Sequence, residues 1–172
     1  MAQAQKITPS LWFDNNCEEA MNFYVDTFNG SPNKRTESKI VTIKRYEEGM
    51  KTPGIEQMVG KVLTGIFELE GMRFIALDGG PIFKFTPSIS FAVECKNQME
   101  VDYFFEKMSA VPEAEICGWL TDKYGMSWQI VPKILGELME NPNPEVGKRV
   151  INALLTMKKI DIKGLEDAAG GN

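Results

Sequence analysis

Thr8-Pro9-Ser10-Leu11-Trp12-Phe13 is the stretch that indicates the fold, because Thr86-Pro87-Ser88-Ile89-Ser90-Phe91 repeats it 78 positions later. Four of the six residues are identical in the two copies. Apolar and polar residues alternate along both copies, as in a strand with one buried face, and a helical pattern follows each. The sequence therefore predicts two copies of one folding unit, with a site expected between the copies.

Each copy continues with a capped helix. The first helix is expected to begin with Asn15 or Asn16 as its N-cap, and the second at Asn97 with Glu100 three residues later, close to a capping box. Apolar residues at helical spacing form a stripe that each helix can bury on the preceding strand. The stripes are Cys17, Ala20, Met21, Tyr24 and Phe28 in the first helix, and Val101, Phe104, Phe105 and Met108 in the second.

A predicted hairpin closes each copy. Val62–Leu69 is expected to return as Met72–Asp78, and Gly118–Asp122 as Met126–Val131. The first copy alone has room for an extra strand, at about residues 36–46. The two copies therefore differ in their number of strands.

The pattern becomes helical after Pro132. A short helix is expected at 134–140, and Asn143-Pro144 opens a longer one with an apolar stripe that needs a partner surface. That stripe is Val146, Val150, Leu154 and Met157. We expect a single domain over residues 1–172, with module one at about 6–81, module two at about 85–132 and C-terminal helices at about 133–169.

Composition excludes several classes of protein. The chain has no histidine, so Ser-His-Asp triads, Cys-His pairs and HExxH zinc sites are excluded. Its formal net charge of −5 disfavours nucleic acid as a partner. There is no signal-peptide pattern and no apolar run of about 18 residues, so we expect neither export nor a membrane span.

The three cysteines lack CxxC spacing and indicate reduced thiols in a cytoplasmic protein. Cys17 and Cys95 occupy apolar positions near helix starts, which are usual places for a buried, inert thiol. Cys117 is therefore the best candidate for a reactive thiol.

Several motifs resemble one protein family. Ile7–Phe13 followed by Asn16–Tyr24 resembles the opening of the PhnB-like family, often labelled 3-demethylubiquinone-9 3-methyltransferase-like. Gly118–Pro132 and the tail Met157–Asp161 resemble it further. The family belongs to the vicinal-oxygen-chelate (glyoxalase/bleomycin-resistance) superfamily. The resemblance covers nearly the whole chain and implies an α+β fold of paired βαβββ modules whose sheets curl into a cup, here with a C-terminal helical extension.

The resemblance also implies where a metal would bind. Enzymes of the superfamily hold a divalent metal with His or Glu ligands on the first and last strand of each module. The matching positions here are Ser10 (or Thr8 in another register), Ala76, Ser88 and Gln129. Hydroxyl, methyl and amide groups are poor ligands for zinc, nickel or iron. We therefore expect no metal and no other cofactor.

The methyltransferase label has no support in the glycine pattern. A methyl-donor site in the common fold needs a glycine-rich turn between a strand of a parallel sheet and a helix. Asp78-Gly79-Gly80-Pro81 follows a strand but leads into Ile82-Phe83-Lys84-Phe85 rather than into a helix. We interpret it as a turn between the modules.

Strand alternation selects the lining of the expected cup: Ser10, Trp12, Phe74, Ala76, Ser88, Ser90, Ser127 and Gln129. Aromatic walls with a few hydroxyl and amide groups suit a small-molecule ligand, although the same residues also suit a solvated sheet face. Trp12 needs a cover on that face, which is a ligand, the other module or a second subunit. Trp119 and Trp128 are interpreted as core or interface residues.

The leading hypothesis is a small-molecule-binding protein without a catalytic metal, working as a homodimer. The C-terminal apolar stripe and the habit of the superfamily motivate the dimer. A rival hypothesis is a superfamily enzyme with displaced carboxylates, drawn from Asp14, Asp78 and Glu94, although Asp78 and Asp122 are more simply turn residues. A third is a structural or interaction module whose cup is filled by its own side chains.

Overall fold

The first repeat forms a four-stranded sheet with one long helix on it. The computed structural model describes residues 5–51 and 54–171, which divide into two units, and the first unit comprises residues 5–30 and 34–84. Its elements are strand β1 (Ser10–Phe13), helix α1 (Cys17–Asn29), strand β2 (Lys39–Arg45), helix α2 (Ile55–Met58), strand β3 (Val62–Leu69) and strand β4 (Met72–Asp78). The strand order is β1-β4-β3-β2, and only the β1–β4 pair is parallel.

Alternation separates two faces of this sheet. On the face that packs on helix α1, Tyr24 stacks on Phe67 and Phe67 stacks on Phe74, with ring centroids 6.1 and 5.2 Å apart. These buried rings form the core of the unit. The other face, which we call the polar face of the first sheet, carries Ser10, Trp12, Lys39, Thr42, Lys44, Thr64, Ile66, Glu68, Arg73, Ile75 and Leu77.

The end of strand β4 caps the start of helix α1. Asn16 is the N-cap residue, as expected, but its side chain makes no capping hydrogen bond. Instead, the backbone N–H of Cys17 donates to the buried carboxylate of Asp78 at 3.0 Å. Burial raises the pKa of Asp78, although the backbone N–H groups that it accepts lower it. The position of the helix start was predictable, whereas its capping group comes from 61 residues further along.

The second repeat forms a three-stranded sheet followed by three helices, in a unit of residues 31–33 and 85–171. Its elements are strand β5 (Ser90–Cys95), helix α3 (Gln98–Met108), a 3-10 turn (Pro112–Ala114), strands β6 (Trp119–Thr121) and β7 (Ser127–Pro132), and helices α4 (Lys133–Met139), α5 (Pro144–Leu154) and α6 (Ile162–Gly170). The strand order is β5-β7-β6, with β5 parallel to β7. As predicted, the side chain of Asn97 accepts the N–H of Glu100 and caps α3.

The second copy of the repeat is a strand only from Ser90 onward, so its predicted beginning is wrong. Residues 86–89 form turns. Strand β5 pairs with β7 from Ser90 and Ser127 onward, and the chain turns away just before Ser127, at Gly125 with a φ of 90°. No strand therefore runs beside Ser88, which is exposed outside the sheet.

Both predicted hairpins are present. The first has the predicted bounds of β3 and β4, and the predicted extra strand is β2. The second unit has the order βαββ, because the chain between α3 and β6 forms only the 3-10 turn and one isolated bridge, Ile116 to Trp119. No helix in the described ranges is long and apolar enough to cross a bilayer.

The C-terminal helices bury their apolar stripe within their own unit. The buried cluster is Leu135, Val150, Ile160 and Leu165, with Val131, Leu138, Val146, Leu154, Met157 and Ala169 packed against it. The side chain of Gln98 joins these helices to α3, since it donates to the carbonyl of Ile160 at 3.0 Å and accepts the N–H of Ile162 at 2.8 Å. The stripe therefore has a partner surface and does not by itself require a second subunit.

Candidate functional site

Three of the predicted site residues come together on one face of the second sheet. Ser90 pairs in register with Ser127, and Ala92 pairs with Gln129, so these side chains share the face opposite the buried ring of Trp128. The side-chain amide of Gln129 donates to the hydroxyl of Ser90 at 2.8 Å. This face, which we call the polar face of the second sheet, carries Ser90, Ala92, Glu94, Trp119, Thr121, Ser127, Gln129 and Val131.

Ser127 is the most buried polar residue of that face. Only 2% of it is exposed, but its hydroxyl is not a fully buried atom without a partner, since Oδ1 of Asn16 is the one such side-chain atom among the described residues. It lies between Ser90 and Thr121 in register. Ser127 therefore adds a hydroxyl to this face beside the bonded pair Ser90–Gln129.

Trp119 also lies on this face and was missed from the sequence. The β6–β7 register pairs it directly with Gln129, and paired side chains have Cβ atoms about 5 Å apart. Trp128 differs, because it is buried on the other face and donates its indole N–H to Asp122 at 2.8 Å. The sequence does contain a signal for Trp119. If the alternation of side chains is followed from Gln129 back through the hairpin turn into the preceding strand, Trp119 falls on the same face as Gln129.

Trp12 is covered by the turn that follows strand β4 in its own unit. Its indole N–H donates to the carbonyl of Gly80 at 2.8 Å, and the ring of Phe83 meets it edge-on at 4.9 Å. Gly79 packs so closely that a Cβ atom there would lie 2.1 Å from an indole atom. The Gly79-Gly80 turn therefore serves as a cover for Trp12, which needs neither a ligand nor a second subunit for this purpose.

Phe74 and Ala76 lie on the opposite face from Trp12, so their place in the predicted lining is wrong. Strand β1 pairs Trp12 with Leu77, which leaves Phe74 and Ala76 on the side of helix α1, with exposures of 3% and 0%. The polar face of β4 carries Ile75 and Leu77 instead. A one-residue error in register moves every side chain of a strand to the other face.

The positions implied for a superfamily metal do not fit a divalent cation. In the second unit the first and last strands offer Ser90 and Gln129, which are bonded to each other. In the first unit they offer Ser10 and its register partner Ile75. These side chains lack the imidazole, carboxylate or thiolate groups that zinc, nickel or iron need. In the part of the chain that the structure describes, no group of three or more Cys, Asp or Glu residues could share a metal ion.

The carboxylates proposed for a displaced-ligand enzyme are dispersed. Asp78 faces helix α1 and caps it. Asp122 accepts backbone N–H groups and an indole N–H within its own hairpin, which makes it a turn residue as expected. Asp14 is exposed in the loop after β1, and Glu94 is exposed on the polar face of the second sheet. Only Glu94 shares a face with the candidate site.

The thiols differ in environment. Cys17 is fully buried, and burial, together with the carboxylates of Asp78 and Glu18, raises its pKa to about 12. A thiol with this pKa stays protonated near neutral pH and is a poor nucleophile. Cys95 is also buried, whereas Cys117 is half-buried in a left-handed backbone conformation with a φ of 52°.

The chain is similar to known proteins over most of its length. The family model described as 3-demethylubiquinone-9 3-methyltransferase matches residues 5–131. A PhnB protein from Bacillus cereus is 37% identical, with 74% of this chain and 99% of that chain covered and a TM-score of 0.58. Protein PA1353 from Pseudomonas aeruginosa is 17% identical, with 75% and 98% covered and a TM-score of 0.55. No curated protein matches the chain.

The two sheet-and-helix units make this an α+β protein, and the glyoxalase/bleomycin-resistance fold is what the family resemblance implies. Within that class, the chain belongs to the 3-demethylubiquinone-9 3-methyltransferase-like (PhnB) family. The family model ends at Val131, so helices α4 to α6 and the motif Met157–Asp161 lie beyond it.

Proposed function

We propose that this protein binds a small, uncharged organic molecule on the polar face of the second sheet, without a catalytic metal. The observation that carries the proposal is the hydrogen-bonded pair Ser90–Gln129, which lies beside Ser127 and next to the half-buried Trp119 in register. A ligand with polar atoms there can bond to the donor and acceptor groups that the pair leaves available. Aromatic surface beside a few fixed polar groups is the usual composition of such sites.

Two further observations, one from each unit, support a non-metal, non-methyltransferase function. The first and last strands offer no suitable metal ligands, and Gly79-Gly80 covers Trp12 rather than opening a helix. Ser10 remains a predicted contact from the sequence, whereas Ser88 lies outside the sheet. Trp12 is engaged by its own unit, which is why the proposal centres on the second sheet.

The proposal also includes the cellular compartment and the partners of the protein. The three free cysteines suit a reducing cytoplasm, and the net charge of −5 disfavours nucleic acid as a partner. We expect the protein to work as a homodimer, as the family resemblance implies. These expectations do not affect the choice of the site.

Native mass spectrometry of gently purified protein tests the proposal. A bound organic molecule that is reduced in the Ser127→Ala and Gln129→Leu variants supports it. Gln57→Leu is the matched control, because Gln57 is exposed on the short helix α2 and should leave binding unchanged. About one tightly bound metal ion per chain, or the same ligand occupancy in all variants, would contradict the proposal.

A further inference from the structure

The hydrogen bond between Gln129 and Ser90 restricts the chemistry of the ligand. The Nε2 group of Gln129 donates to the hydroxyl oxygen of Ser90 at 2.8 Å. This leaves the Oε1 atom of Gln129 as a free acceptor and the hydroxyl hydrogen of Ser90 as a free donor. The second Nε2 hydrogen of Gln129 is a further donor, so the pair presents at least one acceptor and one donor side by side.

The presence of both a donor and an acceptor does not depend on how the side-chain amide of Gln129 is oriented. If the amide is rotated so that Ser90 donates to Oε1, the Nε2 group becomes the free donor. The oxygen of Ser90 then becomes the free acceptor. In both arrangements the pair presents at least one donor next to at least one acceptor, so it is complementary to a group that has both.

The charge and the aromatic surface of this face restrict the class of ligand further. Glu94 is the one ionisable residue on the polar face of the second sheet, so an anionic ligand is disfavoured there. The half-buried indole of Trp119 lies next to Gln129 in register and provides a flat apolar wall. A flat, neutral ligand fits this combination.

We infer that the ligand carries an uncharged amide edge, with an N–H and a C=O on the same side, attached to a flat ring that packs on Trp119. Primary aromatic carboxamides and lactams have this edge. The N–H of the ligand donates to the acceptor of the Ser90–Gln129 pair, and its carbonyl accepts from the donor. This inference rests on the proposed binding function and specifies the ligand class for the same site.

Three compounds on one scaffold test the inference. Benzamide has the full edge, N,N-dimethylbenzamide keeps only the acceptor, and benzoate has two acceptors and a negative charge. Fragments of this size bind at about millimolar concentration, so a titration of ¹⁵N-labelled protein should extend to tens of millimolar. We expect benzamide to shift the side-chain signals of Gln129 and Trp119, and the other two compounds to bind about tenfold more weakly, as expected for one lost hydrogen bond.

Variants test whether the preference for benzamide comes from the Ser90–Gln129 pair. Gln129→Leu and Ser90→Ala should both lose the preference for benzamide, and Gln57→Leu should keep it. Since the three compounds are also compared on the unmodified protein, the test stands even if one variant fails to fold. Equal binding of benzamide and N,N-dimethylbenzamide at these signals would overturn the ligand class but leave the site in place. If no compound binds and native mass spectrometry finds no ligand, the proposed function itself fails.

Discussion

The carboxylate of Asp78 accepts the N–H of Cys17 across the first unit and is buried where it does so. Its pKa is raised in the folded state, mainly because burial penalises the charged form. For an acid whose pKa is higher in the folded state than in the unfolded state, stability falls as the pH rises between the two values. Asp78 therefore stabilises the helix start but is most favourable at low pH.

Substitutions at Asp78 should separate these two effects. Asp78→Asn keeps an acceptor for Cys17 and removes the charge. The pKa of Asp78 is about 4 in the unfolded chain and higher in the folded protein. As the pH rises through this range, the unmodified protein should lose stability, so Asp78→Asn should become more stable relative to it. Asp78→Ala removes the cap and should cost about 1–2 kcal/mol near neutral pH. Urea unfolding across this pH range measures both. A constant difference between Asp78→Asn and the unmodified protein at all pH values would contradict the prediction.

The cysteines provide a second test at the residue scale. Because Cys17 and Cys95 are buried and the pKa of Cys17 is raised to about 12, we expect a thiol reagent to modify only Cys117 in the native protein at mildly alkaline pH. Denatured protein should show all three thiols. Cys117→Ser should leave no rapidly reacting thiol in the native state. Rapid labelling of Cys17 in that variant would show that the helix start opens readily.

At the scale of elements, the turn after strand β4 and strand β1 form one packed feature. Trp12 on β1 is held by the carbonyl of Gly80 and the edge of Phe83. Phe83 itself remains 62% exposed, so the cover is thin. The absence of a side chain at Gly79 is what lets the turn approach the indole this closely.

Two glycine substitutions should therefore have opposite effects. Gly79→Ala places a Cβ atom 2.1 Å from the indole of Trp12 and should destabilise the protein by about 1–3 kcal/mol through overpacking. Gly136→Ala is the matched control, since it lies in helix α4 with no atom within 4 Å of the added methyl group. It should stabilise by up to about 1 kcal/mol. Chemical unfolding of both variants is the measurement, and equal stabilities would contradict the packing described for Trp12.

Elements were more predictable than the faces they present. The hairpin of β3 and β4, the extra strand and the stripe of helix α3 follow from local periodicity and turn residues. The facing of Phe74 and Ala76 was wrong, because it depends on how β4 aligns with β1, whose paired residues lie 65 positions apart in the sequence. Ser88 was placed in a strand because its own alternation is good, but β7 begins too late to pair with it.

At the scale of the whole molecule, the C-terminal helices are the part that lies beyond the family model. Their cluster around Val150 and Ile160 is complete within the second unit, and Gln98 ties it to helix α3. The apolar stripe of α5 therefore gives no reason for a dimer. The single domain over residues 1–172 and the homodimer both remain predictions from the sequence and its resemblance.

Sedimentation tests the dimer directly. A homodimer of the 19.3 kDa chain should sediment at about twice that mass, without dependence on the C-terminal stripe. Ile151→Ser, at an exposed position of α5, should leave the mass unchanged, because Ile151 lies outside the buried cluster of the C-terminal helices. A stable monomer at micromolar concentration would exclude the dimer, and dissociation by Ile151→Ser would show that α5 forms the interface.

The sequence by itself determined the α+β class, the family, most element bounds and the candidate residues Ser90, Ser127 and Gln129. Periodicity, caps and turn residues act over short distances along the chain and so indicate the elements, whereas the family followed from the resemblance of the motifs. Only the tertiary structure decided that Asp78 caps helix α1, that the Gly79–Phe83 turn covers Trp12 and that Trp119 joins the candidate site. These depend on strand register and on contacts between residues far apart in sequence, which local patterns do not encode.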